Sequence, residues 1–347
     1  MPDGKSRTDS GESSPKQNIQ AVSKRVIKRT SSSANVGVYA ILLLLLVFFS
    51  ISAKGFLSFA NIINIVRHVA IVGVAAFGEA FVLLIGGIDL SIGSIIGLSG
   101  VTSAILIRDF GIGVPLALLC GVLSGTLVGL VNGLVISKSN IPPIITTLGT
   151  YTIVRGMSNL VAGGMSVFGM PANYKVLGTG YIYLFPIPVV VMISLFIVLY
   201  VVLNHMPFGR YVYAIGNNIR SAKIAGINIP RIQQIVFIIS GTAAGIAGVI
   251  LSSRLDSGQA VPITNFEMDV ITAVVLGGIS ILGGKGRLIG VLIGVLIIGV
   301  LDNGLILKNV LFYSQMVVKG PILLLALGLD ILSQRSIEKL SLGGKYD

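Results

Sequence analysis

Long uncharged apolar runs alternate with short polar connections along the chain, and the runs predict membrane-crossing helices. The first covers 37–53, and nine more follow at about 69–88, 90–107, 110–136, 141–162, 181–203, 232–251, 268–284, 288–307 and 310–333. At least six approach the ~20 residues that a helix needs to span a hydrocarbon core. None shows the apolar/polar alternation over ~10 residues of a lipid-facing barrel strand, so a β-barrel is excluded. The expectation is an all-α polytopic membrane protein of about ten transmembrane helices, some of them broken.

Composition agrees. Of 347 residues 54% are hydrophobic and 11% charged, against about 25% charged in a soluble domain. Mean hydropathy is +0.94. The 44 glycines let helices approach closely and break within the membrane. Cys120 is the one cysteine, so neither a disulfide framework nor a cysteine-based metal site can form.

A net charge of +12 would suggest nucleic acid in a soluble protein, but here the basic residues sit in connections. With the N-terminus inside, 17 Lys and Arg fall on the cytoplasmic side, while Lys54, Arg67, Arg108, Arg155, Lys175, Arg254 and Lys308 fall on the other. This asymmetry fits ten spans with both termini cytoplasmic. Removing the 141–162 and 268–284 spans leaves the C-terminal side unchanged, so eight stays open. Ser50 to Ala53 faintly resembles a cleavage site, yet 17 uncharged residues and the later spans favour an uncleaved first helix. The domain reading is a basic cytoplasmic tail over 1–36, a membrane domain over 37–334 with a cytoplasmic loop at 204–231, and a C-terminal tail over 335–347. Within the loop a short helix is predicted around 219–225, ended by Gly226 and then Pro230. The external segments 163–180 and 252–267 read as surface segments able to receive a partner.

Several patterns carry chemistry. Gly121, Gly125, Gly129 and Gly133 recur every four residues, which lays a groove for a closely packed neighbour. Gly86-Gly87-Ile-Asp89-Leu-Ser91-Ile-Gly-Ser94 predicts a broken helix, whose freed backbone must face protein or water and so tends to border a solute pathway. Asp89 could instead cap the next helix. A related pattern runs from Val274 to Gly286, with Gly277 and Gly278 matched to Gly86 and Gly87; its offset of six spans does not make a five-plus-five repeat. Glu79, Arg155, Asp302, Lys319 and Asp330 fall at or near membrane depth, where a partner or a wet cavity is expected.

Three enzyme-like matches fail. Gly97-Leu-Ser99-Gly100 fits an intramembrane serine protease motif, but the only histidines, His68 and His205, lie at opposite faces and out of reach. Gly278 to Gly286 is one residue too long for a P-loop and lacks its Ser/Thr. No metal-ligand spacing is present.

The residues Gly86–Ser94, Pro207–Asn218, Ala225–Ile229, Glu267–Gly278, Gly283–Arg287, Asp302–Leu305 and Gln315–Gly320, in that order, resemble the sugar-type permease family of bacterial ABC importers. The resemblance implies a multi-pass subunit of the bacterial cytoplasmic (inner) membrane. Its implied partners are a second permease copy or paralogue, cytoplasmic ABC ATPase subunits and an external solute-binding protein. It implies no enzyme activity and no cofactor in this chain, with ATP-Mg bound by the partner ATPase. Residues 210–227 would form the ATPase coupling loop through Arg210, Gly216, Asn218, Ala222 and Gly226, although Ile219-Arg220-Ser221 departs from the acidic residue and paired alanines usual there.

Arg254 and Glu267 would contact the binding protein. Gly86, Gly87, Asp89, Ser91 and Ser94 would border the solute pathway without forming a deep sugar site, since carboxylates are few and tryptophan is absent. The solute would be a monosaccharide or related polyol. A branched-chain amino acid or nucleoside permease, or a stand-alone secondary transporter, is the alternative.

Overall fold

The computed structural model describes residues 38–139 and 141–343; the tail 1–36 lies outside the described residues, as do 37, 140 and 344–347. Helices α1 (Val38–Ser52), α2 (Phe59–Leu84), α3 (Ile92–Arg108), α4 (Val114–Ser139) and α5 (Pro143–Val161) come first. A 3₁₀ turn (Ala172–Lys175), the one-turn α6 (Val176–Thr179) and a hairpin of β1 (Tyr181–Ile182) with β2 (Phe185–Pro186) follow. Then come α7 (Ile187–His205), α8 (Pro207–Asn217), α9 (Ile219–Ile224), α10 (Ile229–Leu255), α11 (Phe266–Leu276), α12 (Leu288–Leu307) and α13 (Phe312–Gly343). Five of these, α2, α4, α7, α10 and α12, are long and apolar enough to cross a membrane. The protein is an all-α membrane protein.

Helix α2 is the axis. Every residue from Val69 to Leu84 is buried, with α10, α12, α7 and α11 packed around it. A helix apolar on nearly all sides belongs in a protein core or a membrane, and the second half of α2 is enclosed by protein. The tightest seam joins α4 to α10. A Cβ on Gly125 would stand 2.6 Å from the Gly241 carbonyl oxygen, and one on Gly133 would stand 2.8 Å from the Gln234 Cα. The four-residue glycine repeat therefore finds its expected neighbour. That neighbour answers with Gly241 and Gly245 of its own, and the Thr126 and Thr242 hydroxyls meet at 2.9 Å across the seam.

Several boundaries differ from expectation. Helix α2 starts ten residues before 69, capped by Ser58, whose hydroxyl accepts the Asn61 N–H. Three of its early polar side chains find partners inside the protein: Asn61 exchanges amide hydrogen bonds of 2.9 and 2.8 Å with Asn303, Arg67 donates to the Thr179 carbonyl, and His68 contacts Asp302. The 181–203 run becomes helical only at Ile187, since its first six residues make the hairpin. Helix α11 ends at Leu276, and eleven residues rise only about 16 Å. Pro230 lies in the first turn of α10 and opens that helix, consistent with its missing N–H. Helix α13 continues past 334 to Gly343.

The 163–180 and 252–267 segments fold inward more than a surface reading allows. Tyr174 is fully buried, its hydroxyl 2.6 Å from Ser252 Oγ and 3.2 Å from Ser103 Oγ. Residues 258–267 run back along α3, where glycines make room: Gly258 lies against Ala104, the Ala260 carbonyl against Gly97, and the Glu267 carboxylate against Gly93.

A leucine at Gly129 would overlap the Phe237 carbonyl and the Gly241 backbone, and overpacking of this kind costs about 1–3 kcal/mol or more. Gly129→Leu is therefore expected to lower the melting temperature of the detergent-purified protein strongly, whereas Gly156→Ala, which meets open space, leaves it at the wild-type value. Equal melting of the two variants would dismiss the seam as the main source of rigidity.

Candidate functional site

The C-terminus of α2 is buried, so its last four carbonyls must find donors within the protein. Phe81 accepts from the Ile85 N–H at 3.3 Å, Val82 from Gly87 at 2.9 Å, and Leu83 from Gly86 at 2.8 Å. The Val82 bond is the six-to-one link of a Schellman turn, and Gly86 at φ 79° supplies the left-handed residue that the turn requires. The Leu84 carbonyl is satisfied from 200 residues away, by the Gly284 N–H at 2.8 Å.

Beyond this turn the chain re-enters the protein as a broken segment held by side chains. Asp89 N–H donates to Glu79 Oε1 at 3.1 Å, Leu90 N–H to Thr147 Oγ1 at 3.2 Å, and the Thr147 hydroxyl to the Ile88 carbonyl at 3.0 Å. Asp89 Oδ1 accepts both the Ser91 N–H at 2.9 Å and the Ser91 hydroxyl at 2.5 Å, while Oδ2 accepts from Ser240 at 3.0 Å. Asn132 donates to Ser91 Oγ at 3.0 Å, and the Ser94 hydroxyl to the Ser91 carbonyl at 2.8 Å.

Asp89 thus forms a two-residue turn ahead of α3, for which Ser91 is the N-cap residue. Glu79, Asp89, Ser91, Ser94, Asn132, Thr147 and Ser240 are all 0–1% exposed. The network ties α2, α4, α5 and α10 to the break. Asp89, Ser91 and Ser94 therefore lie inside packed protein in this conformation and do not face an open passage.

Of these partners, only Glu79 gave a sequence signal, as an acid in an apolar run. Asn132, Thr147 and Ser240 are uncharged polar residues in largely apolar runs, and nothing in the sequence links them to residue 89.

The Val274–Gly286 pattern makes the same turn at the end of α11: Gly278 N–H donates to the Val275 carbonyl at 2.8 Å and Ile279 N–H to Val274 at 3.3 Å. Gly278, at φ 85°, is the counterpart of Gly86, so the glycine pairs correspond one residue out of the expected register. The loop that follows folds onto the α2 turn. A Cβ on Gly283 would stand 2.8 Å from Gly86 N and 3.1 Å from Gly216 Cα.

Helix α8 lies over this junction. It buries Gly209, Val212 and Ile215 and exposes Arg210 and Tyr211. Tyr213 donates its hydroxyl to the Gly286 carbonyl at 2.9 Å, and Asn217 Nδ2 to the Gly284 carbonyl at 3.2 Å. Burial pushes the Tyr213 phenol above its usual value while nearby Arg287 pulls it down. Among the expected coupling residues, Arg210, Asn218 and Gly226 are exposed. Asn218 caps α9 by accepting the Ser221 N–H at 3.0 Å, and Gly226 ends it at φ 80°. Ala222 is buried. Gly216 faces Leu84 and Gly284 rather than outward.

Of the charges expected at depth, Asp302 and Lys319 pair with each other. Lys319 Nζ stands 2.8 Å from Asp269 Oδ2 and 2.7 Å from Asp302 Oδ1, and His68 Nε2 lies 3.3 Å from Asp302 Oδ2. This cluster ties α2, α11, α12 and α13 together. Arg155 donates to the Tyr151 hydroxyl and lies over its ring, 4.6 Å from the centroid. The Asp330 side chain lies outside the described residues. Ser99 contacts Ser124 Oγ at 3.5 Å, while His68 is engaged by Asp302, so no protease dyad is assembled.

On the other face Arg254 is partly exposed beside Arg67. Glu267 is only 4% exposed, turned onto Gly93, which removes it as a surface contact in this conformation.

The residues thus build an axial helix ended by a side-chain-held break, with an amphipathic helix lying over that end, an arrangement of the kind transport subunits use. Residues 61–327 match the family described as branched-chain amino acid transport system / permease component, and the chain belongs to that family. It is 43% identical over 297 residues to the ribose import permease protein RbsC of Bacillus subtilis (strain 168), covering 85% of this chain and 92% of the relative. The D-allose transport system permease protein AlsC of Escherichia coli (strain K12) is 36% identical, covering 84% and 90%. The xylose transport system permease protein XylH of Haemophilus influenzae (strain ATCC 51907 / DSM 11121 / KW20 / Rd) is 33% identical, covering 88% and 99%. No solved structure matches the chain.

Replacing Asp89 tests the network. Asp89→Leu strands the buried Ser91 and Ser240 donors, at about 1–3 kcal/mol for each unsatisfied group, and is expected to depress melting and the yield of folded protein. Asp89→Asn keeps one oxygen acceptor and the size, and stays close to wild type in melting. Wild-type melting and yield of the Leu variant would remove Asp89 as the organiser of the break.

Proposed function

We propose that the chain is the permease subunit of a binding-protein-dependent ABC importer that carries a monosaccharide across the bacterial cytoplasmic membrane. The observation that carries this reading is α8–α9: an amphipathic element outside the apolar spans, seated on the end of the axial helix and presenting Ile219 and Ile224 at 50% and 89% exposure. Apolar side chains so exposed on a polar connection call for a protein partner, and the cytoplasmic ATPase is that partner. Arg210, Asn218 and Gly226 lie on the docking face. ATP and Mg bind in the ATPase, and this chain carries no cofactor.

The relatives named for ribose, D-allose and xylose support a sugar over a branched-chain amino acid, a nucleoside or an ion-coupled carrier. Asp89, Ser91 and Ser94, buried as they are, hold the wall of the pathway beside Gly86 and Gly87 and make no deep sugar site. Selectivity rests mostly with the external binding protein. Arg254 and Arg67, next to the hairpin that exposes Tyr183 and Leu184 at 97% and 85%, receive its acidic surface. Ten spans with both termini cytoplasmic place these two faces on opposite sides. A second permease copy or paralogue completes the pathway, and the exposed row Leu116, Leu119, Leu123, Leu127 and Val131 on α4 faces lipid.

Uptake is the test. The chain, reconstituted in liposomes with its ATPase and binding protein, is expected to accumulate labelled D-ribose, D-allose or D-xylose on ATP hydrolysis, and to leave leucine outside. Arg254→Glu should reduce binding-protein stimulation of hydrolysis several-fold. Accumulation of leucine alone, or of sugar without ATP, would overturn the reading.

Topology is checked separately. A reporter active only in the cytoplasm should work when fused after Arg220 or Asp347 and stay silent at Lys175. Activity at Lys175 would reject the orientation.

A further inference from the structure

Three segments distant in sequence meet at the end of α2, and they meet through backbone. The Leu84 carbonyl accepts the Gly284 N–H at 2.8 Å. A side chain at Gly216 would collide with that same carbonyl oxygen and with the Gly284 backbone, and its Cβ would stand 3.0 Å from Gly284 Cα. A side chain at Gly283 would in turn press on Gly86 and Gly216. Helix α8 therefore rests on the hydrogen bond that completes the capping of α2, with no side chain between.

Two further bonds fasten α8 to the same loop, from Tyr213 to Gly286 and from Asn217 to Gly284. Two residues past Leu84 the chain reverses at Gly86, and three residues later Asp89 begins the network that reaches α4, α5 and α10.

We propose that the contact of Gly216 with Leu84 and Gly284 is the transmission point of this permease, where movement of the α8 docking helix becomes movement of the break at Gly86–Ser91. Gly216 is then a positioning residue for coupling and not a contact residue for the ATPase. The inference rests on the transport reading above and deepens it. The physical reason is stiffness. Long side chains between α8 and α2 would absorb a displacement of an ångström by changing rotamer. Backbone packed on backbone has no such slack, because interiors packed to this density pass a shift on to their neighbours. Three glycines at one point achieve a contact that no other residue type permits.

The test uses the assembled transporter with ATPase and binding protein in liposomes, read as D-ribose taken up per ATP hydrolysed, alongside ATPase co-purification. Wild-type uptake is the control for the transport reading itself, so its failure is recognised before any variant is considered. Gly216→Ala wedges a methyl group against Leu84 O; it is expected to co-purify with the ATPase and to lower uptake per ATP about tenfold.

Tyr213→Phe keeps the volume and deletes only the bond to Gly286, which guards against a misfolded alanine variant. It is expected to lower the same ratio about threefold. An unchanged ratio in Tyr213→Phe together with either an unchanged ratio or lost ATPase association in Gly216→Ala would overturn the proposal, the last by making Gly216 a docking contact.

Discussion

Enclosure of α2 is the constraint on which the rest of the structure depends. Because no face of its second half reaches water or lipid, its final carbonyls cannot be left to solvent, and each unsatisfied one would cost several kcal/mol in a membrane interior. Three are capped by the turn that immediately follows. The fourth, from Leu84, needs a donor from elsewhere, which fixes the 280–286 loop at that spot. The loop and the turn then leave only enough room for a glycine from α8. The cluster of glycines is thus a consequence of one carbonyl that must be satisfied in a crowded place.

Six of the seven segments that resemble the sugar-type permeases sort, in space, around two principal centres. Gly86–Ser94, Pro207–Asn218 and Gly283–Arg287 gather at the capped end of α2, where the contacts are between backbones. The start of Glu267–Gly278, with Asp302–Leu305 and Gln315–Gly320, supplies Asp269, Asp302 and Lys319 to the ionic cluster. Glycine and charge, which look like separate features of composition, mark these two centres.

Legibility from sequence followed the range of the interactions. The glycine repeat of α4 was readable because a packing face needs only one helix to be seen. The break at Gly86–Ser94 was readable because two glycines, an acid and two hydroxyls stand side by side. Its fastening by Glu79, Asn132, Thr147 and Ser240 was not, since each partner lies in a largely apolar run on another helix.

The same limit explains the boundaries. Arg67 and His68 read as a connection because hydropathy charges their full cost, whereas in the fold Thr179 and Asp302 answer them and the helix continues. It also explains Glu267. The 252–267 segment carries enough polar residues to read as a surface loop, but Gly93, Gly97 and Gly100 leave a trough on α3 into which it sinks.

The two centres differ in what movement they permit. In the ionic cluster Lys319 lies between two carboxylates on a flexible four-carbon stem, and one partner can be kept while the other is loosened. Buried ion pairs of this kind do little for net stability, since desolvation offsets attraction, but losing one member leaves a stranded charge. They hold α13 in place while tolerating a change of angle.

At the capped end of α2 no such tolerance exists, because the contacting atoms belong to the backbone of three segments of the chain. A transporter that must open one face while keeping its bundle intact needs both kinds of joint. The compliant one, in the first third of α13, keeps the helices together, and the stiff one stands beside α8, which with α9 lies outside the apolar spans.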